Sequence, residues 1–269
     1  MKLNLAVGLS ISLLFFIDHA HQRASAFRVT WPSSRYRETE REQSQAAAMA
    51  EVAPSCKSLE CPAYESIHRD KDYEIRRYNG TVWMSTVPPI KNISFVGATK
   101  TGFLSLFDYI QGQNTEQAKV PMTAPVLTGI FPSRGPFCES SFVVSFYVPE
   151  KFQEKPPEAE KSLALKAKKW DIVYAAVRRF GGYVTDSNIG EEAAKLQASL
   201  IDTPWADAIS KSQQRIAEGH HDREGKDPSL FSVAQYNSPF EFKNRVNEIW
   251  MLFQMEKLTH PSHRSISHI

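Results

Sequence analysis

Stretches of β-strand pattern and helical pattern follow one another along the first half of the chain. Tyr73–Val87 alternates apolar and polar residues, is rich in β-forming side chains and is interrupted by a turn pair at Asn79-Gly80. A helix is predicted from Ser94 to about Gln111, because apolar residues recur there at helical spacing. The residues that share its apolar face are Phe95, Thr99, Phe103, Leu106, Phe107 and Ile110. The strands predicted after the helix are Val120–Ile130 and Ser141–Val148.

The second half of the chain shows the same order of patterns. A long strand is predicted over Trp170–Thr185, with a kink at Gly181-Gly182. A helix follows from Asn188, and its apolar face consists of Ala193, Leu196 and Leu200. Polar Ser210–Ser229 is predicted to be a surface loop. The closing strands are predicted at Phe231–Tyr236 and Val246–Phe253.

Two short motifs occur once in each half, in the same order. "IRRYNGTV" at Ile75–Val82 returns as "VRRFGGYV" at Val177–Val184, and "MTAPV" at Met122–Val126 is echoed by "YNSPF" at Tyr236–Phe240. We therefore predict an α+β domain over residues 56–255, made of two pseudosymmetric strand–helix–strand–strand halves at about 62–150 and 165–255. About eight mainly antiparallel strands are enough to curl into a barrel with the two helices outside it. A cleft between such halves is a natural ligand site.

The composition is that of an ordinary globular protein. Of 269 residues, 42% are hydrophobic and 23% are charged, and the net charge is +2. Lys and Arg are dispersed, so nucleic acid is not an expected partner. The sequence contains no nucleophile elbow, His-Glu-x-x-His motif or Gly-rich phosphate loop.

The N-terminus predicts entry into the secretory pathway. Residues 1–26 have a basic start, an apolar run at Leu5–Ile17 that is too short to span a bilayer, and small residues at Ala24–Ala26. A flexible polar lead is expected over residues 27–55 and a polar tail over 256–269, with no membrane span once the signal peptide is removed. Translation from Met49 would instead give a cytosolic chain.

If the chain is secreted, a disulfide can form among its three cysteines and its two sequons can accept glycans. Cys56 and Cys61 are the preferred disulfide pair, and this pairing leaves Cys138 over. Asn79 and Asn92 each begin an Asn-x-Ser/Thr sequon. Asn92 is the better glycan acceptor, because Asn79-Gly80 already has a structural role as a turn pair.

Several motifs, in order, are similar to those of the SOUL family of haem-binding proteins, especially its plant members. They are "YEIRRY", "TGFLSLFDYIQG", "MTAPV", "GPFCESSFVVSFYVP", "AVRRFGGY", "YNSPF" and "RVNEIW", and they span Cys56–Phe253. The resemblance implies a distorted β-barrel with two flanking helices and internal pseudosymmetry. It also implies non-enzymatic binding of haem or a related tetrapyrrole, as a carrier or buffer.

The same resemblance places the haem groove on the first helix. Similar proteins have one basic and two apolar residues where Lys100, Phe103 and Phe107 stand here. Haem is a flat apolar disc with two anionic propionates, so an aromatic wall beside a cation suits it. The alternative for Phe103 and Phe107 is a purely structural place in the core.

Axial ligation of the iron is less well supported by the residues. Where an axial histidine has been proposed in the family it directly follows Glu-Ile-Arg, and in this chain that position is Arg77. A guanidinium offers donors only, so Arg77 is expected to meet a propionate, or else to pair with a carboxylate such as Glu74. His68 and Met122 are the remaining axial alternatives, and a hydrophobic mode with weak or no ligation is expected.

Two other kinds of function remain open from the sequence. The repeated strand–helix–strand–strand order also resembles GyrI-like small-molecule-binding modules, some of which hydrolyse their ligands. In such an enzyme Glu248, beside Trp250 and Leu252 on one strand face, would be an acid or base with a raised pKa, although an ion pair with Arg245 is the simpler role. The third reading is an extracellular interaction domain whose pocket is vestigial.

Overall fold

The computed structural model describes residues 52–131, 140–217, 229–238 and 240–255. The predicted signal peptide, the tail at 256–269 and Cys138 lie outside these ranges, so secretion and the fate of that thiol stay predictions. Within the ranges, no helix combines the length and apolar character needed to cross a bilayer.

In the described residues, nine antiparallel strands form a single curled sheet, one strand more than the approximate number expected. The strands are β1 Glu65–Arg69, β2 Glu74–Tyr78, β3 Val82–Thr86, β4 Val126–Phe131, β5 Ser141–Tyr147, β6 Leu165–Lys169, β7 Val173–Gly181, β8 Phe231–Gln235 and β9 Val246–Phe253. Their order across the sheet is β1-β2-β7-β9-β8-β4-β5-β3-β6. The architecture is thus the α+β distorted barrel that was expected.

Three α-helices of the described part of the chain lie against this sheet, where two were expected. They are α1 Phe95–Ile110, α2 Asn188–Ser199 and α3 Ala206–Ala217. The prediction of a loop from Ser210 to Ser229 is therefore wrong over its first part. Ser212 explains part of the difference, because its hydroxyl donates to the carbonyl of Ala208 at 2.9 Å and the residue is buried, so a polar residue occupies the packed face.

Side chains on the two faces of the sheet form different cores. On the outer face, one cluster lies under α2 and α3 and another lies under α1; the latter includes Met84, Val144, Phe146, Leu106 and Ile110. On the inner face, aromatic rings occupy much of the space enclosed by the curled sheet, beside a cavity of about 120 Å³. The Trp250 ring stacks on Tyr78 at 5.1 Å between centroids and meets Trp83 edge-on at 6.4 Å.

The segment before β1 closes one side of this interior. A disulfide joins Cys56 to Cys61, as the sequence analysis preferred. Ala53 is buried among the aromatic residues of the inner core, and both cysteines pack partly against the same cluster. The end of the segment that was predicted as a flexible lead, from Ala53 onward, is thus packed on the domain.

Candidate functional site

An open groove runs along the outer side of α1, between the helix, the sheet and the segment that follows β7. Its volume is about 310 Å³, at the small end of the range for pockets that bind drug-sized ligands. The residues that line it are Phe95, Val96, Thr99, Lys100, Phe103, Val126, Val184, Gln235, Asn237 and Arg245.

Hydrogen bonds at the start of α1 fix the helix beside this groove. The Ser94 hydroxyl caps the helix by accepting from the backbone N–H of Gly97 at 3.1 Å. The N–H of Phe95 donates to the carboxylate of Asp186 at 2.6 Å, which ties the helix to the segment after β7. A mutation that loosened these contacts would therefore move one wall of the groove.

A close approach to the sheet fixes the middle of α1. Gly102 lies so near β5 that a Cβ added there would be 2.5 Å from the Cβ of Val144. One turn earlier, the hydroxyls of Thr99 and Thr128 are hydrogen-bonded at 3.0 Å. These contacts hold the helix at a defined height over the sheet, with Lys100 and Phe103 at the groove.

The two phenylalanines of α1 that were predicted to form an aromatic wall have different surroundings. Phe103 is half-buried, lines the groove and meets Phe146 edge-on at 5.4 Å. Phe107 does not line the groove and is 40% exposed, so its predicted place on the buried face is wrong. Its ring stacks on Phe103 at 5.9 Å with an angle of 15°, which extends the aromatic surface toward solvent.

The other side of the groove has polar atoms that lack a partner. Arg245 is buried, and its Nη1 donates to the carbonyls of Ser238 at 2.9 Å and Glu241 at 2.7 Å. Its Nε has no hydrogen-bond partner among the described residues, and neither has Oε1 of Gln235. Such atoms are rare in folded proteins, so a donor and an acceptor at one groove favour a bound ligand there.

The structure separates the other predicted site residues from this groove. Arg77 lies on β2 and pairs with Glu65 at 3.1 Å, so its partner is not Glu74. His68 lies exposed on β1, with its ring 5.6 Å from that of Tyr73. Met122 packs partly against the cluster under α1. In the described ranges, no three His, Cys, Asp or Glu side chains are grouped as a metal site.

Both sequon asparagines are exposed. Asn79 precedes Gly80, whose φ of 56° confirms the turn that was predicted there. Asn92 lies just before α1 and has a positive φ of 59°. Exposure is what a glycan acceptor needs, but attachment of a glycan stays a prediction.

Glu248 lies on the inner face of the sheet and is fully buried. Arg76 donates to its two oxygens at 2.8 and 3.0 Å, and Arg179 donates to Oε1 at 2.9 and 3.1 Å. Tyr236 and Trp250 each donate to Oε2 at 2.8 Å.

This environment contradicts the role of Glu248 as an acid or base with a raised pKa. Burial alone would raise the pKa, but the charge and hydrogen bonds of Arg76, with the charge of Arg179 and the hydrogen bond from Trp250, lower it to about 2. The suggested ion pair with Arg245 is also wrong, because the ion-pair partners are Arg76 and Arg179. Glu248 is therefore ionised at neutral pH and is the counter-charge of Arg76 and Arg179.

Sequence reasoning missed Arg245 and Gln235 as groove residues. Arg245 begins "RVNEIW", one of the motifs that carried the family resemblance, and Gln235 directly precedes "YNSPF". Both residues therefore lie in or next to motifs that carried the resemblance. Their position beside α1 depends on where β8 and β9 lie in the order of the sheet. Local pattern does not contain that information.

The fold and the groove together define a class: an α+β barrel-like protein with an external, largely apolar groove and cationic residues at its edge. The chain belongs to the SOUL family, since the family model described as "SOUL heme-binding protein" matches residues 59–252.

Relatives of known name support the same assignment. Human Heme-binding protein 2 is 31% identical over 78% of this chain and 90% of its own length. Mouse Heme-binding protein 2 is 29% identical over 74% of this chain and 88% of its own length, and pig Heme-binding protein 1 is 25% identical over 68% and 85%.

Among solved structures, the EcmrR C-terminal domain matches 71% of this chain and 99% of that domain at 9% identity, with a TM-score of 0.43.

Proposed function

We propose that this protein binds haem or a related tetrapyrrole non-covalently and without catalysis, in the groove beside α1, as a carrier or buffer. The observation that carries the proposal is the arrangement of Phe103, Lys100 and Arg245 around one open groove. An aromatic wall and two cations match the two chemical parts of haem, its flat apolar ring and its anionic propionates.

The contacts of each residue support a specific role in such a complex. Phe103, extended by its stack on Phe107, offers a flat aromatic surface on which the macrocycle can lie. Lys100 is exposed at the groove edge, where a propionate can reach it while the rest of the ligand lies deeper. The guanidinium of Arg245 supplies a second positive charge at the groove, which suits the second propionate.

The ligand in this proposal is docked by contact and charge rather than held by its iron. None of the described residues that line the groove is His, Met or Cys. Neither His68 nor Met122 reaches it, and Arg77 is paired elsewhere. The volume of about 310 Å³ also supports a partly exposed ligand, because it is near the lower limit for a pocket that encloses a drug-sized molecule.

Haem titration of the purified chain, followed at the Soret band, tests this proposal. We expect Lys100→Ala with Phe103→Ala to weaken binding at least tenfold, because an aromatic contact is worth about 0.5–1.5 kcal/mol and a hydrogen bond to a charged group about 1.5–3 kcal/mol. Arg245→Met should weaken binding by a similar factor. It keeps most of the side-chain volume and removes the charge and the Nε donor.

Matched controls separate the groove from the rest of the surface. Leu104→Ala changes an exposed residue of the same helix, and Lys166→Ala removes an exposed cation on β6; both should leave the titration unchanged. His68→Ala should also have little effect. If His68→Ala alone abolished binding and shifted the Soret band, docking in the groove would be the wrong mode.

A further inference from the structure

Two phenylalanine rings stand free in solvent on the loop between β8 and β9. Phe240 is 82% exposed and Phe242 is 74% exposed, more than any other large apolar side chain in the described part of the chain. Leaving two aromatic rings in water is unfavourable, and adjacent exposed apolar groups commonly mark a surface that contacts something else.

Several hydrogen bonds hold the described residues of this loop. Both its ends are tied together, since Asn237 Oδ1 accepts from the N–H of Val246 at 2.7 Å and Asn237 Nδ2 donates to Glu241 at 2.6 Å. Arg245 holds the loop from below by donating to the carbonyls of Ser238 and Glu241. The two exposed rings therefore lie beside residues that are fixed by hydrogen bonds.

This loop forms one edge of the groove beside α1. Asn237 and Arg245, at the two ends of the loop, line the groove. The surroundings of the groove expose further apolar side chains: Ile93 at 41%, Val96 at 46% and Tyr183 at 50%. We call Ile93, Val96, Tyr183, Phe240 and Phe242 together the groove rim.

Cations accompany these apolar groups. Lys243 is exposed one residue beyond Phe242, and Lys100 is exposed at the groove itself. The Arg245 guanidinium lies 4.7 Å from the centre of the Tyr183 ring. Aromatic rings beside cations are the combination that settles at an anionic bilayer surface, where each Lys or Arg contributes roughly 1 kcal/mol.

We propose that the groove rim docks onto the surface of an anionic lipid bilayer, with Phe240 and Phe242 inserted among the headgroups. A bilayer fits this surface better than a protein partner. The two most exposed rings project from a loop whose ends line an open groove, whereas a stable protein interface needs a continuous area of roughly 800 Å² on each partner. Docking in this way turns the groove toward lipid, where an apolar ligand can enter or leave; this last step rests on the proposed function.

Co-sedimentation with vesicles tests the docking directly. The full chain is mixed with vesicles of phosphatidylcholine containing about one third phosphatidylserine, an anionic lipid of the kind that attracts basic residues, and with vesicles of phosphatidylcholine alone. We expect binding to the anionic vesicles that weakens as salt is raised. Phe240→Ser with Phe242→Ser should lower the partition coefficient at least tenfold.

A double variant with apolar residues changed elsewhere is the control. Ile172→Ser with Ile201→Ser removes two exposed apolar groups, at 46% and 64% exposure, that are not part of the groove rim. This control should bind vesicles like the wild type. The docking is wrong if the wild type stays in the supernatant with every vesicle, as it would if the partner were a protein, or if both double variants lose binding equally.

Haem titration in lipid-free buffer separates this inference from the proposed function. The Phe240→Ser, Phe242→Ser variant should bind haem as the wild type does, with a slower transfer of haem from vesicles to protein. If the wild type binds vesicles but no haem, the docking stands and the proposed function fails. If the variant loses haem binding in buffer, the loop serves the ligand site and the docking proposal is overturned.

Discussion

The buried carboxylate of Glu248 is the centre of the charged cluster inside the curled sheet. Two arginines converge on it, and Arg76 also donates to Glu74 at 2.9 Å. The Tyr64 ring covers the Arg76 guanidinium at 4.3 Å. Charges removed from water in this way stabilise the fold only as a complete set, since each loses its hydration and depends on its partners.

We expect Glu248→Gln to lower the free energy of unfolding by roughly 3–5 kcal/mol, because it leaves buried guanidinium groups without their counter-charge. The measurement is urea unfolding followed by tryptophan fluorescence. Glu65→Gln is the control, since it breaks the exposed ion pair with Arg77, and such pairs contribute less than about 1 kcal/mol. Equal losses in the two variants would contradict a structural role for the buried cluster.

The lowered pKa of Glu248 predicts how the stability of the fold changes in acid. The pKa of Glu248 is lowered from 4.5 to about 2, so its stabilising contribution is complete above pH 4.5 and is lost as the pH falls from there toward 2. Glu248→Gln should therefore unfold with less pH dependence than the wild type across that window. If the wild type and Glu248→Gln lost the same unfolding free energy as the pH fell from 4.5 toward 2, other groups would cause the acid sensitivity.

In the repeated Arg-Arg pair, the sequence alone does not predict which arginine faces the interior of the sheet. The motif indicated that both pairs lie on equivalent strands, but strand alternation leaves open which arginine of each pair turns inward. In the first copy Arg76 is the one that reaches Glu248, and in the second it is Arg179. Arg77, the residue selected from the family pattern, is on the opposite face and pairs with Glu65. Only the registers of β2, β7 and β9 decide this.

At the scale of elements, the seat of α1 on the sheet depends on one missing side chain. Gly102 faces Val144 so closely that any Cβ would be in steric conflict with it. In α2, by contrast, a Cβ at Gly190 would meet nothing within 4 Å. The two helices thus offer a matched pair of Gly→Ala changes with opposite expected signs.

Gly102→Ala should lower the free energy of unfolding by about 1–3 kcal/mol, because overpacking pushes α1 away from β5. Gly190→Ala should raise it by about 0.5–1 kcal/mol, because alanine restricts the unfolded chain more than glycine does and suits a helix better. Thermal and urea unfolding of both variants provide the check. Stabilisation by Gly102→Ala would mean that the helix is not seated as closely as described.

Elements with a regular apolar pattern were predictable, and elements without one were not. The predicted helix from Ser94 to Gln111 agrees with α1, because its buried face repeats at helical spacing over four turns. Strands β1 and β6 left no such signal. They are the edges of the sheet, all five side chains of β1 are exposed, and their pairing uses backbone groups that any sequence provides. Helix α3 was missed because polar residues dominate it.

At the scale of the molecule, the two predicted halves share one sheet and do not form separate ones. In the strand order, β7, β9 and β8 from the second half lie between β2 and β4 from the first half. Strand β2 therefore pairs with β1 and β7, and β4 pairs with β5 and β8. The sequence showed two similar halves, but not this interleaving, because long-range pairing has no local pattern.

We expect a fragment of residues 56–150 to lack a cooperative unfolding transition, because it loses the pairs β2–β7 and β4–β8 and leaves unpaired edges inside the former sheet. A chain trimmed to residues 52–255 is the control; it keeps every described strand pair and should unfold in one transition. Circular dichroism during heating distinguishes the two. A cooperative melt of the short fragment alone would show that the halves are independent domains.

The packed interior of the sheet also bears on the exchange rate of the ligand in the proposed complex. Trp83, Trp250, Tyr78 and the ion cluster around Glu248 fill much of this interior. The cavity that remains there, beside Ser85, Ser145 and Leu252, has a volume of about 120 Å³, well below that of a pocket for a drug-sized ligand. A ligand in the outer groove can bind and dissociate without a gate, a hinge or partial unfolding of the domain. Under the proposed function, the residence time of the ligand would then be set by the strength of a few surface contacts.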